Sequence, residues 1–151
     1  MPTNNAFIYY IADTKYGPRV LLLKHVGSGA YGPPGGKCER VDSDWDCVRR
    51  EYREEVGHDL PSKSDCLRSM RFDIKHGGGS HTRIFVHRTL KLPEEGVPRQ
   101  RGGAGTREIE YIQHFSFADI RLMVAKRSGC RLRSCAVASM EKVMSFIDKG
   151  F

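Results

Sequence analysis

The chain predicts a mixed α/β fold on three observations. Short runs of β-branched, aromatic and aliphatic residues alternate with turn formers, two segments carry the apolar spacing of amphipathic helices, and no internal repeat interrupts the pattern. Residues 6–12 and 19–25 read as two strands joined across the turn formers of 13–18, a hairpin. Residues 27–36 form a glycine and proline loop. A helix follows from about Ser43 to Val56, with Asp42 or Ser43 as N-cap, Asp44 and Asp46 at the positive end of the helix dipole and Gly57 as C-cap. Residues 68–75 and 82–92 read as a second hairpin around the GGGS turn at 77–80. Residues 93–107, rich in glycine and proline, form a loop whose length makes it a candidate substrate lid, with structureless chain as the equal alternative. Residues 108–117 return to strand. Residues 134–149 close the chain as a helix with Val137, Met140, Val143, Met144 and Ile147 on one face.

Composition bounds the function. With 151 residues the chain is one domain with a substantial core, and its net charge of +7 favours a polyanionic partner, nucleic acid or a phosphorylated small molecule. Neither a signal peptide nor a run of eighteen apolar residues is present, so the expectation is a soluble chain of the cytoplasm or nucleus, not secreted and without a membrane partner. The five cysteines are odd in number and lack C-x-x-C pairs, which predicts reduced thiols, with Cys47 and Cys135 as small packing residues. Gly27, Gly29 and Gly32 fit G-x-G-x-x-G, but Pro33 and Pro34 stand where a dinucleotide-binding helix would begin, so that reading is rejected.

Chemistry concentrates in the first helix. Glu51, Glu54 and Glu55 share one helical turn opposite the apolar Trp45, Val48, Tyr52 and Val56, and three clustered carboxylates repel one another unless a cation sits among them. Hard divalent cations prefer such oxygen ligands, which points to Mg2+ or Mn2+. Arg50 reaches Glu54 at the i, i+4 distance and would hold its rotamer. Backbone amides at Gly35 and Gly36 are placed to approach a diphosphate. A solvated acidic helix face is the competing reading, set aside because the glycine loop and Arg50 stand in register with the carboxylates.

That register resembles the Nudix box: G, five residues, E, seven residues, then R-E-U-x-E-E-x-G-U with U a bulky aliphatic. Gly36, Arg50, Glu51, Glu54, Glu55 and Gly57 match it, while Asp42 replaces the first glutamate, Tyr52 the first U and His58 the last. The resemblance implies a Nudix fold over nearly the whole chain, an α/β/α sandwich with a mixed central sheet. It also implies metal-dependent hydrolysis of a phosphoric anhydride. Glu51, Glu54 and Glu55 would be the metal ligands, the Gly36 carbonyl a further one, and Asp42 a weaker candidate because its stem is one methylene shorter.

Finer wording of the box is similar to that of mRNA decapping enzymes, matching also at Ser43, Asp44, Cys47 and the lead-in Lys37. The segment TREIEYIQHF resembles the strand on which those enzymes carry a glutamate proposed as general base. Glu108 takes that place, with His114 where tryptophan is usual. On this reading Glu54, Glu55, Glu108 and Arg50 form the catalytic set, and Lys37, Gly35, Arg99 and Arg101 contact substrate. Lys126, Arg127, Arg131, Arg133 and Lys142, with Arg99, Arg101 and Arg107, would form a basic path for RNA. Phe7, Tyr9, Tyr31, Phe72 and Phe85 are the aromatic candidates for a methylated guanine. Decapping of mRNA, releasing 7-methyl-GDP and 5′-monophosphate RNA, therefore ranks first. A small-molecule hydrolase acting on a nucleoside triphosphate, nucleotide sugar or diphosphoinositol polyphosphate ranks second, and a catalytically silent binding module third. Oligomeric state is left open.

Overall fold

The computed structural model describes residues 3–99 and 108–151. In chain order these form β1 (Asn5–Thr14), β2 (Gly17–His25), β3 (Tyr31–Gly32), β4 (Gly35–Lys37), α1 (Asp44–Val56), β5 (Cys66–Lys75), β6 (His81–Thr89), β7 (Ile109–Ser116), α2 (Phe117–Val124) and α3 (Ser134–Asp148). β1 is central because both of its faces are apolar. Phe7, Tyr9 and Ile11 enter one core cluster, and Ala6, Ile8 and Tyr10 enter the other. The first cluster is closed by Phe117, Ile120 and Met123 of α2 with Met140 and Val143 of α3, and the second by Cys47, Val48, Tyr52 and Val56 of α1. A seven-stranded mixed sheet thus lies between helical layers, the expected α/β/α sandwich.

Sheet topology opens the site. β1 and β2 form the expected antiparallel hairpin, but they pair only between Ile11 and Thr14 on β1. Nearer its start β1 takes β4 as antiparallel partner instead, with Phe7 opposite Gly35. β2 meanwhile pairs with β7 from Arg19 to His25 and, near its end, with β3 at Leu23 and Lys24. The partner switch leaves a gap between His25 and Gly35, and α1 faces it. On its other edge β1 pairs with β6 in parallel, Ile8 opposite Phe85, and β6 pairs with β5 antiparallel, as the second predicted hairpin requires.

Three expectations are corrected. The last strand ends at Ser116, not at residue 117, because Ser116 accepts a hydrogen bond from the Asp119 amide at 3.1 Å and caps α2, a helix for which the sequence reading has no element. The loop at 27–36 contains β3 and ends in β4. Cys38 and Cys47 are not reduced thiols but a disulfide, with Cα atoms 5.2 Å apart, because the end of β4 and the first turn of α1 converge; Cys66, Cys130 and Cys135 remain free. No helix among the described residues is long and apolar enough to cross a membrane.

Candidate active site

Helix α1 begins where the sequence places it. The Ser43 hydroxyl accepts from the Asp46 amide at 3.1 Å, and Gly57 closes the helix in the left-handed conformation. Val48, Tyr52 and Val56 of its apolar stripe are buried and Trp45 is half-buried, with Tyr52 edge-on to Tyr10, so the tyrosine does fill the place of an aliphatic. Packing of that stripe turns Glu51 and Glu55 toward the gap in the sheet. They line a cleft of about 930 Å³ together with Gly35, Gly36, Lys37, Glu108, Phe7, His25, His76 and Arg133. A methyl group on Gly36 would stand 2.8 Å from Glu51 Cδ, so glycine is what allows the carboxylate to lie against the backbone there.

Glu55 is 6% exposed, and its Oε1 accepts from the Gly35 amide at 2.8 Å. Burial, opposed by that hydrogen bond and reinforced by the charges of Glu51 and Glu108, pushes its carboxyl up to about 8. Burial and the neighbouring Glu54 and Glu108 also raise Glu51, against the pull of Arg50. Arg50 is the hub behind these groups. It donates to Asp42 at 2.7 Å and Glu51 at 3.2 Å, lies within 3.9 Å of Glu54, and has a buried Nε without an acceptor among the described residues. The guanidinium in turn holds Asp42 below the usual carboxylate range.

Several expected site residues are brought together here: Glu51, Glu55, Glu108, Gly35, Gly36 and Lys37 share the cleft. Others are placed differently. Glu54 is 61% exposed and does not line it. Asp42 is directed at Arg50 and the Glu39 amide, and so is not turned to the cation position. The Gly35 amide faces Glu55, which makes it an orienting group, and the Gly36 carbonyl lies 3.7 Å from Cys47 Sγ. Arg99 lines a separate groove with Tyr52, Val56 and Pro93. Arg101 and Arg107 lie outside the described residues, as does part of the candidate lid. His114, in place of tryptophan, meets the Pro93 carbonyl through Nε2 at 2.6 Å, while its amide donates to Glu95. The basic path divides, since Lys126 and Arg131 share a groove with Arg133 whereas the Lys142 ammonium lies 5.2 Å over the Phe72 ring. Tyr9, Tyr31 and Phe85 are core residues.

Among the described residues no three His, Cys, Asp or Glu side chains converge closely enough to enclose a metal ion. The donor set nonetheless fits a divalent cation. Half-buried Glu51 and buried Glu55, both held above their ordinary range by burial and by neighbouring carboxylates, are the groups a cation would relieve, and Mg2+ takes one or two carboxylates while substrate and water oxygens complete its shell. Residues missed by the sequence reading are His25 and His76, for which no local motif exists; Arg133 is expected in the basic path for RNA and instead lines this cleft.

Residues 1–133 match the NUDIX domain family. Over 102 residues the chain is 28% identical to the mRNA-decapping enzyme subunit 2 of Saccharomyces cerevisiae (strain YJM789), which covers 68% of this chain and 10% of that protein. The chain thus spans about a tenth of the length of that relative. Similar solved structures include a C. elegans Ap4A hydrolase binary complex, with 14% identity, TM-score 0.65 and coverage of 97% of this chain and 99% of that one. The NUDIX domain of Shewanella oneidensis NrtR, complexed with ADP ribose, superposes with TM-score 0.63 at 14% identity, covering 97% of this chain and 89% of that chain. M. smegmatis RenU, a Nudix hydrolase, gives 0.68 at 15% identity, covering 99% and 88%. These likenesses establish the fold.

Proposed function

The chain belongs to the NUDIX family, and from that premise we propose that it is a divalent-metal-dependent hydrolase of phosphoric anhydride bonds in nucleotide-derived small molecules. The observation that carries the reading is the cleft itself, a space of about 930 Å³ in which half-buried Glu51, buried Glu55 and Lys37 come together. A divalent cation bound there supplies positive charge against the phosphate oxygens and favours ionised carboxylates. Glu51 and Glu55 would hold it, oriented by Arg50 and by the Gly35 amide at 3.2 and 2.8 Å. Glu54, on the same helix, exposed and within 3.9 Å of Arg50, would be a further ligand. Lys37 holds a phosphate oxygen at the mouth of the cleft. Glu108, the residue before β7, takes a proton from the attacking water.

This order of substrates reverses the one the sequence favours. Four of the five aromatic candidates for a methylated guanine are buried: Tyr9, Tyr31, Phe85 and, though it lines the cleft, Phe7 at 9% exposure. Cys47, one of the decapping-type positions, is committed to Cys38. Ap4A and ADP ribose, the compounds named with two of the similar structures, are small nucleotides, and both likenesses span nearly the whole chain. Decapping remains the second reading, favoured by the 28% identity to the yeast decapping subunit and by Ser43 and Asp44 in the box.

Incubation with Mn2+ or Mg2+ and Ap4A, ADP ribose, a nucleoside triphosphate or cap-labelled RNA separates the readings by product. Turnover of a small diphosphate with capped RNA untouched is the expected outcome. Faster release of 7-methyl-GDP from capped RNA would establish decapping instead. Glu55→Gln and Glu54→Gln should each lower kcat by at least about a hundredfold while the fold is retained. Unchanged kcat in both would sink the metal assignment.

A further inference from the structure

Lys37 and Arg133 are the Lys and Arg side chains that line the cleft among the described residues, and they reach it from different directions. Lys37 ends β4 on the side of the carboxylates and is exposed. Arg133 precedes α3 and is half-buried, with a fixed backbone. The Tyr31 amide donates to the Arg131 carbonyl and the Arg133 amide to the Tyr31 carbonyl, both at 2.7 Å, which seats this segment beside β3. Two contacts then aim the side chain. Its aliphatic stem crosses Gly32 so closely that a methyl group there would stand 2.9 Å from Cδ and 3.4 Å from Cγ. Its Nη1 meets His25 Nε2 at 3.2 Å. Among the described residues Arg133 makes no ion pair, although its charge is felt by Glu55.

A guanidinium held on both flanks but left without a carboxylate is an anion site lacking its anion. We propose that Arg133 binds a phosphate of the substrate on the wall of the cleft away from α1, and that Gly32 and His25 position it to do so. The inference rests on the hydrolase reading above and adds the residue that takes the phosphate group not held beside the carboxylates. Guanidinium suits that task, because its planar fork can meet two oxygens of one phosphate and so fix the direction of the anhydride chain along the cleft. An arginine already held in place also loses little side-chain freedom on binding. Gly32, which the sequence places in the glycine and proline loop, has a specific reason for being glycine: it provides the space in which the arginine stem lies.

The test combines steady-state kinetics in Mn2+, on Ap4A, ADP ribose and capped RNA, with calorimetric titration of ADP into the same protein. Arg133→Ala should raise KM and the Kd for ADP by about tenfold to a hundredfold, the range for loss of one charge-assisted contact, with a much smaller fall in kcat. Arg133→Lys should recover part of the affinity. Gly32→Ala, which keeps every charge but displaces the stem, should move KM the same way at unchanged melting temperature. A merely structural role would lower the melting temperature of Arg133→Ala and leave KM and Kd where they were, and that result overturns the inference while the hydrolase reading stands. A rise for Arg133→Ala with none for Gly32→Ala would overturn the positioning role of the glycine. A wild-type protein that binds ADP in an Arg133-dependent way yet hydrolyses none of the substrates would overturn the hydrolase reading and retain the anion site. One that neither binds nor hydrolyses would overturn both.

Discussion

At the scale of single residues the cleft is a set of ionisable groups moved from their ordinary ranges, and the directions of movement oppose one another. His25 is held down to about 4, first by burial and then by the adjacent Arg133 guanidinium. Its neutral form is the one that can accept the hydrogen bond from Arg133. In the unfolded chain the imidazole titrates near its free value of about 6.5, so the unfolded state binds more protons between pH 6.5 and 4. The stability this residue contributes is therefore complete above that window and is lost as pH falls through it. Glu51 and Glu55 act with the opposite sign, since raised folded-state carboxyls favour the native state at low pH and withdraw that support as pH rises toward 8. Comparison of wild type with His25→Gln cancels the carboxyl contribution. Urea titrations from pH 7 to pH 4 should show wild type losing on the order of 2 kcal/mol more than the variant. Parallel pH profiles would mean that His25 is not held neutral. Glu51, Glu55 and Gly57 were legible at this scale because the spacing of one helix and its cap fixes them. Asp42 was not. Its match to a ligand position in the box concealed a better partner, Arg50, only 2.7 Å away in the fold. Arg133 was illegible for a related reason, since neither Gly32 nor His25 lies near it in the chain.

At the scale of elements, α1 is fastened to the sheet at more points than packing alone demands. Glu55 bonds β4 through the Gly35 amide, Arg50 reaches back to the Lys37 carbonyl and Asp42, and Cys47 is joined to Cys38. The covalent link closes a loop of about ten residues, for which chain entropy gives about 2.5 kcal/mol of stabilisation. Equilibrium unfolding in reductant should therefore fall below that in its absence by roughly this amount, and Cys38→Ser with Cys47→Ser should abolish the difference. Stability indifferent to reductant, with both thiols free to alkylate in the native protein, would contradict the link. The sequence could not announce it, because the two sulfurs meet only once β4 and α1 dock. Elements with their own periodicity and caps were legible: both hairpins, α1 and α3 lie close to their expected bounds. α2 was missed although Ser116 and Asp119 signal a cap, because its eight residues continue directly from β7 and are too few to display a helical period.

At the scale of the whole molecule, the parallel pairing of β1 with β6 joins segments about eighty residues apart and was legible only through the resemblance to a known fold. That pairing places β1 in the middle of the sheet, and the partner switch along β1 then sets β4 and α1 around a cleft lined by Glu51 and Glu55. Without a cation the native state bears the cost of keeping Glu51, Glu55 and Glu108 near one another, whereas an unfolded chain separates them. Binding of a divalent cation to the native state alone must then raise stability, by RT ln(1 + [L]/Kd), or about 2.7 kcal/mol at a hundredfold excess over Kd. For a domain of this size that corresponds to a rise in melting temperature of roughly 5 to 10 °C. Thermal unfolding in MnCl2 or MgCl2 should show the shift relative to EDTA, and KCl at matched ionic strength should not. Glu51→Gln with Glu55→Gln should remove the response and raise the melting temperature of the metal-free protein, because neutral side chains relieve the repulsion. A metal response that survives this double substitution would place the cation elsewhere, and the carboxylates of α1 would then be a structural cluster without a metal to hold.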